Sequence, residues 1–261
     1  MHSAEREAAI LEAIRPKGFI SYRDLEARID ASPATIRRDL ARLAAEGRLS
    51  RVRGGAKLTA TGGTAPAPSL RLSGTPFDEA ITRNLAAKRA IGRAAAAMCA
   101  PGEGVMIDGG TTTLQMCPHL AGLDLQVLTN SLHIVDALLP QKGTNILVPS
   151  GTLFREQNII LAPAGEDSMP RFHAPKLFMG AAAVGSQGVM QADVVLVAAE
   201  RRLIDRAEEV ILLVDSSKFS SSSGAIVCGL GEVDVVVTDA GLSSDAAKMI
   251  ESAGVRLVMA M

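Results

Sequence analysis

Tryptophan is absent from this 261-residue chain, tyrosine occurs once, and aromatic residues make up only 3% of it. Large rings therefore cannot supply the core. The 48% hydrophobic content is ample for one large domain or two smaller ones, built from Ala, Val, Leu, Ile and Met. Cysteine is scarce as well. Cys99, Cys117 and Cys228 are scattered and odd in number, which argues against a disulfide framework or a metal or redox motif and fits a reducing compartment. Long apolar runs are missing: stretches such as VVLVAA (194–199) are far too short to span a membrane. The charged, amphipathic start MHSAEREAAILEAI lacks the apolar stretch of a signal peptide. The expectation is a soluble, cytoplasmic protein with no membrane partner.

Signatures of catalysis are missing too. The four histidines, His2, His119, His133 and His173, show no metal or triad spacing; only His133, near the TN turn, falls close to the crevice, and it too reads more readily as a surface residue. Ser150 lacks a surrounding GxSxG. Glu200-Arg201-Arg202 on the 193–208 helix could hold a base, but it reads more readily as a solvated face or an ion pair. No catalytic residue, metal or cofactor is expected.

Net charge is only −1, yet it is unevenly spread. Residues 1–60 carry +4 and the remainder −5, and 37–57 hold seven basic residues against two acidic ones. Such a split suggests one part that meets a polyanion and one that does not. At its centre lies TIRRDLARL (35–43). At 100° per residue Ile36, Leu40 and Leu43 share one arc and face a core, while Thr35, Arg38 and Arg42 face away and Arg37 sits on a flank. Ser32 caps the start, Pro33 suits the first turn and Gly47 ends the helix.

Two amphipathic helices precede it: 3–15, with Ala9, Ile10, Ala13 and Ile14 inward and a stop at Pro16-Lys17-Gly18, and YRDLEARI (22–29), with Leu25 and Ile29 inward. RLSRVRGGAKL (48–58) follows as a basic hairpin turning at Gly54-Gly55. Three helices and a basic hairpin make a winged helix-turn-helix over 1–58. Residues 59–77, rich in Gly, Pro, Thr and Ala, read as a linker.

Over 78–261 short apolar runs alternate with helical stretches. A helix at 79–99 precedes strands VMID (105–108), LQVLT (125–129), NILV (145–148), KLFMG (176–180), VILLVD (210–215), VDVVVT (233–238) and VRLVM (255–259). Helices are expected at 112–121, 131–140, 193–208 and 243–253. Strands apolar on both faces, alternating with helices, indicate an α/β domain with a mainly parallel sheet.

Ligands in such sheets bind beyond the carboxyl ends of the strands. Three ends there are polar. MIDGGTTTL (106–114) offers flexible backbone N–H groups and the hydroxyls of Thr111, Thr112 and Thr113 to an anion at a helix start. It is neither GxGxxG nor a P-loop, so a small phosphate or carboxylate fits better than a nucleotide. Asp108 there suits sugar hydroxyls. LLVDSSKF (212–219) adds Asp215 and the cation of Lys218, and LTNSL (128–132) adds Asn130. Each alone is equally well a capped turn.

The block SPATIRRDLARLAAEGRLSRVRGGA (32–56) resembles the signature of the DeoR family of bacterial transcriptional repressors. IDGGTTT (107–113), LTNSL and VDSSKF, in that order, resemble the family's sugar-phosphate sensor, and the likeness spans nearly the whole chain. It implies a ribose-5-phosphate isomerase-like fold used as a sensor without catalysis. By position the effector site takes in Asp108, Gly110, Thr111, Thr112, Thr129, Asn130, Asp215 and Lys218. Ser150-Gly151 stands where the family often has Gly-Gly, and IILAPAG (159–165) with VDSSK looks most like the subgroup of ascorbate-utilisation repressors, implying a phosphorylated sugar acid.

The partners expected are double-stranded operator DNA, met by Ser32, Thr35, Arg37, Arg38, Arg42, Arg51 and Arg53, and a phosphorylated sugar or sugar acid. Thr35 and Arg38 lie nearest base edges, while Arg37, Arg42, Arg51 and Arg53 mainly hold phosphates. A homo-oligomer, dimer or tetramer, is expected because one small winged helix seldom gives enough specificity. The rivals are a sugar-phosphate isomerase with an accessory DNA-binding domain, which needs a well-placed carboxylate base, and a protein-interaction module, against which the basic count in 37–57 speaks.

Overall fold

The structure, a computed structural model, describes residues 3–14, 19–29, 31–45, 49–52, 55–58, 77–155, 157–161 and 170–261. The chain divides into two compact units, Met1–Leu70 and Arg71–Met261. Arg53, the turn at Gly54, the stop at 16–18, linker residues 59–76 and the 162–165 part of IILAPAG lie outside the described residues, as do the side chains of Arg37 and Arg51.

In the first unit, helical spacing of aliphatic residues builds α1 (Ser3–Ile14), α2 (Tyr22–Arg28) and α3 (Pro33–Ala45) around one core. Ile10, Ile14, Leu25, Ile29, Ile36, Leu40 and Leu43 are all buried in it, with Leu49 and Ala56. The expected hairpin is present as antiparallel β2 (Leu49–Val52) and β3 (Gly55–Leu58). A third strand, β1 (Phe19–Ser21), pairs with β3, and its three residues are too few to announce themselves by alternation. Charge also ties α1 to α3. Arg6 Nε donates to Asp39 Oδ2 at 2.8 Å, and Arg42 pairs with Glu7.

The second unit opens with α4 (Phe77–Ala80) and α5 (Leu85–Ala96), where the sequence suggested one helix over 79–99. The break has a cause. Asn84 takes a left-handed backbone (φ 52°), and its Nδ2 donates to Asp215 Oδ1 at 2.9 Å and to Ser217 Oγ at 3.2 Å. Seven parallel strands follow: β4 (Gly104–Ile107), β5 (Gln126–Leu128), β6 (Asn145–Leu147), β9 (Lys176–Met179), β12 (Glu209–Leu213), β14 (Val235–Asp239) and β15 (Arg256–Ala260). Their order across the sheet is β15-β14-β12-β9-β4-β5-β6. These are the seven strands the apolar runs predict, and their side chains alternate between two dry faces. Val105, Ile107, Phe178, Ile211, Leu213, Val235 and Val237 pack with Ile91 of α5 and Ile134 of α6 (Leu132–Leu138). Met106, Leu177, Met179, Leu212 and Val236 pack with Leu203 of α7 (Val194–Ile204) and Ile250 of α8 (Ser244–Ser252). Each aliphatic side chain so buried contributes roughly 1.5–3 kcal/mol.

Two further features depart from the sequence reading. The expected helix at 112–121 is a 3-10 helix over Thr113–His119, consistent with Pro118 inside it lacking the N–H an α-helix needs. Two small antiparallel pieces also appear: the hairpin β7 (Thr152–Phe154) with β8 (Ile159–Leu161), and a sheet of β10 (Ala183–Gly185), β11 (Gly188–Gln191) and β13 (Ala225–Cys228).

Candidate functional site

In the first unit the start of α3 is closed by its own side chains. Thr35 N donates to Ser32 Oγ at 3.3 Å, and the two hydroxyl oxygens lie 2.9 Å apart. Arg38 is exposed beyond them. Arg42 is half-exposed while paired with Glu7, so its guanidinium also fastens α3 to α1.

In the second unit the parallel sheet brings all its carboxyl ends to one edge, and a cavity of about 340 Å³ opens there. Of the residues singled out from the sequence, Gly110, Thr111, Thr112 and Lys218 line it. Lys218 sits in the 3-10 turn Ser216–Ser220 after β12 and makes no ion pair among the described residues. The size is that of a small-molecule site, and the lining offers a cation beside a run of backbone N–H and hydroxyl donors.

The other singled-out residues stand behind the wall or beside it. Asp108 N donates to Phe178 O at 2.9 Å, fixing the end of β4 to β9. Its Oδ1 accepts from Asn130 Nδ2 at 2.9 Å, while Asn130 Oδ1 accepts from Gly109 N at 3.0 Å. One buried amide thus grips both the side chain and the backbone of the β4 turn. A Cβ on Gly109 would lie 2.9 Å from Ile159 Cδ1, so any side chain there would have to push the end of Ile159 aside. Thr113 Oγ1 lies 2.8 Å from Asp108 O and 3.0 Å from Gly110 O, which closes the turn rather than facing the cavity. Thr129 Oγ1 accepts from Ser131 N at 3.2 Å. Asp215 caps the Lys218 turn through Ser217 N at 3.2 Å and faces a neighbouring crevice with Asn84 and Asp239. Ser150 is exposed and lines no part of the cavity.

Other residues line the cavity as well, among them Phe77, Gln191 and Glu200. Phe77 lines the cavity and stacks on His133, ring centres 3.9 Å apart, so His133 is packed rather than a free surface residue. Gln191, at the end of β11, and Glu200, on α7, form part of the wall. Glu200 corrects the sequence reading: it is 3% exposed, not on a solvated face. A signal for this exists, because Leu196, Leu203 and Ile204 flank it at helical spacing on the same stripe. Burial first, then the negative charge of Asp108, hold the Glu200 carboxyl well above its ordinary range, against the pull of the Gln191 hydrogen bond. Burial likewise lifts Asp108 to about 6, opposed by the bonds from Asn130 and Gly109. Lys88, buried on α5, donates to Ala80 O at 2.5 Å, and burial holds its ammonium below the usual range against the charge of Asp215. It braces α4 rather than facing the cavity.

A winged helix-turn-helix joined in one chain to a parallel α/β unit with a polar cavity defines a class of DNA-binding regulators with a sensor domain. The description "DeoR-like helix-turn-helix domain" matches residues 6–61, and "DeoR C terminal sensor domain" matches residues 83–240. The chain belongs to the DeoR family and is a DNA-binding transcriptional regulator. Its relatives include a protein named as an aga operon transcriptional repressor from Escherichia coli O157:H7, 29% identical over 98% of this chain and 94% of that one. Another is the HTH-type transcriptional regulator UlaR of Shigella dysenteriae serotype 1, 27% identical over 99% of each. Among solved structures, ribose 5-phosphate isomerase A of Methanocaldococcus jannaschii aligns over 52% of this chain and 55% of its own, with 13% identity and a TM-score of 0.40. The full-length sorbitol operon regulator SorC of Klebsiella pneumoniae aligns over 100% and 97%, with 7% identity and a TM-score of 0.36. Among the described residues no helix is long and apolar enough to cross a membrane.

Proposed function

We propose that the protein is a repressor of an operon for sugar or sugar-acid catabolism, and that a phosphorylated sugar bound in the second unit modulates its grip on operator DNA. The DNA-binding unit covers 1–58 and the sensor runs to 261; the linker, expected over 59–77, ends before Phe77, which opens α4 and lines the cavity. The carrying observation is the convergence of Gly110, Thr111, Thr112 and Lys218 on one cavity at the strand ends. A phosphate placed there meets a cation and donors from a turn built by Asp108, Thr113 and Asn130. Thr129 and Asp215 support the neighbouring turns. Exposed Arg38, with Thr35 at the helix start, reaches base edges; Arg37, Arg42, Arg51 and Arg53 hold phosphates. The protein works in the cytoplasm as a dimer or tetramer, which matches a repeated half-site.

An effector changes DNA affinity only through a preference for one arrangement of the protein over another, and typical coupling of about 1–3 kcal/mol changes affinity by roughly 5- to 150-fold. Lys218→Ala is expected to weaken a sugar phosphate in calorimetry, to bind operator normally without it, and to lose the response in a DNA mobility shift. Unchanged effector binding would refute the phosphate site, and loss of DNA binding without ligand would make Lys218 structural. The rival isomerase reading has one buried carboxyl on the cavity wall, Glu200, in its favour. Aldose–ketose interconversion of the same compounds, followed by NMR, would support it; the regulator requires none.

A further inference from the structure

Two parts of the cavity wall lead to one short segment. Phe77 and Ala80 of α4 line the cavity directly. Lys218 lines it too, and the turn that carries Lys218 is gripped from behind by the α4–α5 junction. There Asn84 Nδ2 donates to Asp215 Oδ1 at 2.9 Å and to Ser217 Oγ at 3.2 Å. Asn84 is itself exposed, but Asp215 is buried, which shields their bond in part from competing water. Asn84 lines no part of the cavity. Its left-handed backbone is one that Asn tolerates better than most residues. On the other side of the junction α4 is held to it by several bonds. Lys88 Nζ donates to Ala80 O at 2.5 Å, Ile81 N to Phe77 O at 2.9 Å and Arg83 N to Ala80 O at 3.3 Å. Residues 77–84 thus form one bonded piece, and in chain order that piece follows directly on the linker.

We infer that Asn84 is the coupling residue of the sensor: it ties the Lys218 turn to α4, so that a phosphate held by Lys218 fixes the segment through which the linker enters the second unit. The inference rests on the phosphosugar reading above. An effector shifts a protein only by preferring one of its arrangements. With the Asn84 bonds made, the turn after β12 is braced and Lys218 is presented from a fixed base. With them broken, the turn loses that brace and α4 loses its tie to the end of β12. A charge-assisted contact is strongest to a cation already in place, so a phosphate favours the braced form. Linkage then requires the tie to α4 to tighten as the phosphate binds. Asn84 is a positioning residue here and acts through Asp215 and Ser217.

The test uses the full chain, a duplex carrying the operator, and ribose 5-phosphate, glucose 6-phosphate and 6-phosphogluconate, taking forward whichever binds the parent most tightly in calorimetry. The readout is the ratio of operator affinities with and without that ester, roughly 5- to 150-fold for typical coupling. Asn84→Gly keeps the left-handed backbone and removes both side-chain bonds. It is expected to bring the ratio to within about twofold of unity, while operator affinity without ester and ester affinity without DNA each stay within about threefold of the parent. Arg83→Ala, which removes the exposed pair with Glu79 one residue away, is expected to keep the parent ratio. A second measurement needs no variant and decides even if Asn84→Gly folds poorly. Residues 81–88 line no part of the cavity, so slower amide exchange there on ester binding reports transmission and not contact; slowing of about threefold or more is expected in the parent. Unchanged exchange over 81–88, a parent ratio that survives Asn84→Gly, or an equal loss in Arg83→Ala overturns the inference. The phosphosugar reading stands in each of those cases, provided Lys218→Ala still weakens the ester. If no ester binds the parent, or none alters its grip on the operator, both fall together.

Discussion

Asp108→Asn should make the second unit more stable at neutral pH, although it alters a residue that holds the turn behind the cavity wall. The Asp108 carboxyl is 3% exposed, and its pKa is about 6 against an ordinary value of 3.8. A rise of about two pH units corresponds to roughly 3 kcal/mol. The folded protein holds this proton more tightly than the unfolded chain does. Protonation therefore stabilises the fold fully below about pH 4, and the contribution is lost as pH rises through about 6. Near pH 7.5 the parent is poorer by up to ~3 kcal/mol on account of this group. Asparagine keeps an oxygen for Asn130 Nδ2 and removes the charge that the pocket resists. Removing that charge also relieves Glu200, which Asp108 pushes upward. For a unit of this size ~3 kcal/mol shifts Tm by roughly 6–12 °C. The chain helps the assay. Its only tyrosine, Tyr22, lies in the first unit and tryptophan is absent, so tyrosine fluorescence follows that unit alone while far-UV circular dichroism follows both. The advantage of Asp108→Asn should appear in the dichroism transition at pH 7.5 and shrink by pH 5. Equal destabilisation at both pH values would refute this and show that the fold needs the carboxylate itself.

Two further outcomes follow from close contacts and exposure. Arg38→Ala is expected to cost about 1–3 kcal/mol on the operator and to relax discrimination at one base position; equal losses on operator and random DNA in a mobility shift would reduce it to a phosphate contact. Gly92→Ala should destabilise the second unit by about 1–3 kcal/mol, even though alanine is the better helix former by about 1 kcal/mol, because a Cβ on α5 would lie 2.4 Å from the Gln115 backbone carbon. A raised Tm would mean that α5 and the 3-10 helix can part at little cost.

The parallel sheet was legible because its strands are buried on both faces, and a run such as VILLVD admits little but a central strand. The helix break at Asn84 was not, because its cause is a bond to Asp215, 131 residues away. Leu85–Ala96 and its upstream residues look continuous when read locally. The small antiparallel pieces escaped because three- and four-residue strands carry too few positions to show a period. At the site, sequence order exposed the polar strand ends, but it could not show which side chains face the cavity and which hold the turns. Thr113 and Asn130 have the chemistry of ligands and are engaged by the fold instead. Glu200 was misread for the opposite reason: a charge in a helix is usually solvated, and that prior outweighed the apolar neighbours on its stripe.

The strand order has a temporal side. β9 lies between β4 and β12, so the turn at 109–112 and Lys218 come together across the sheet only once β9 has paired with β4 and β12, made later, has added to its far side. The contacts that shape the cavity are therefore long-range, and such contacts form late because chain closure must be overcome before they help. During translation the helix-turn-helix unit emerges far ahead of the Lys218 turn. A product that stops before residue 209 lacks β12 and that turn, yet still encodes the whole DNA-binding unit. A chain cut there would keep the unit that meets DNA while losing the Lys218 side of the cavity, so the last-made fifth of the polypeptide carries one wall of the proposed sensor.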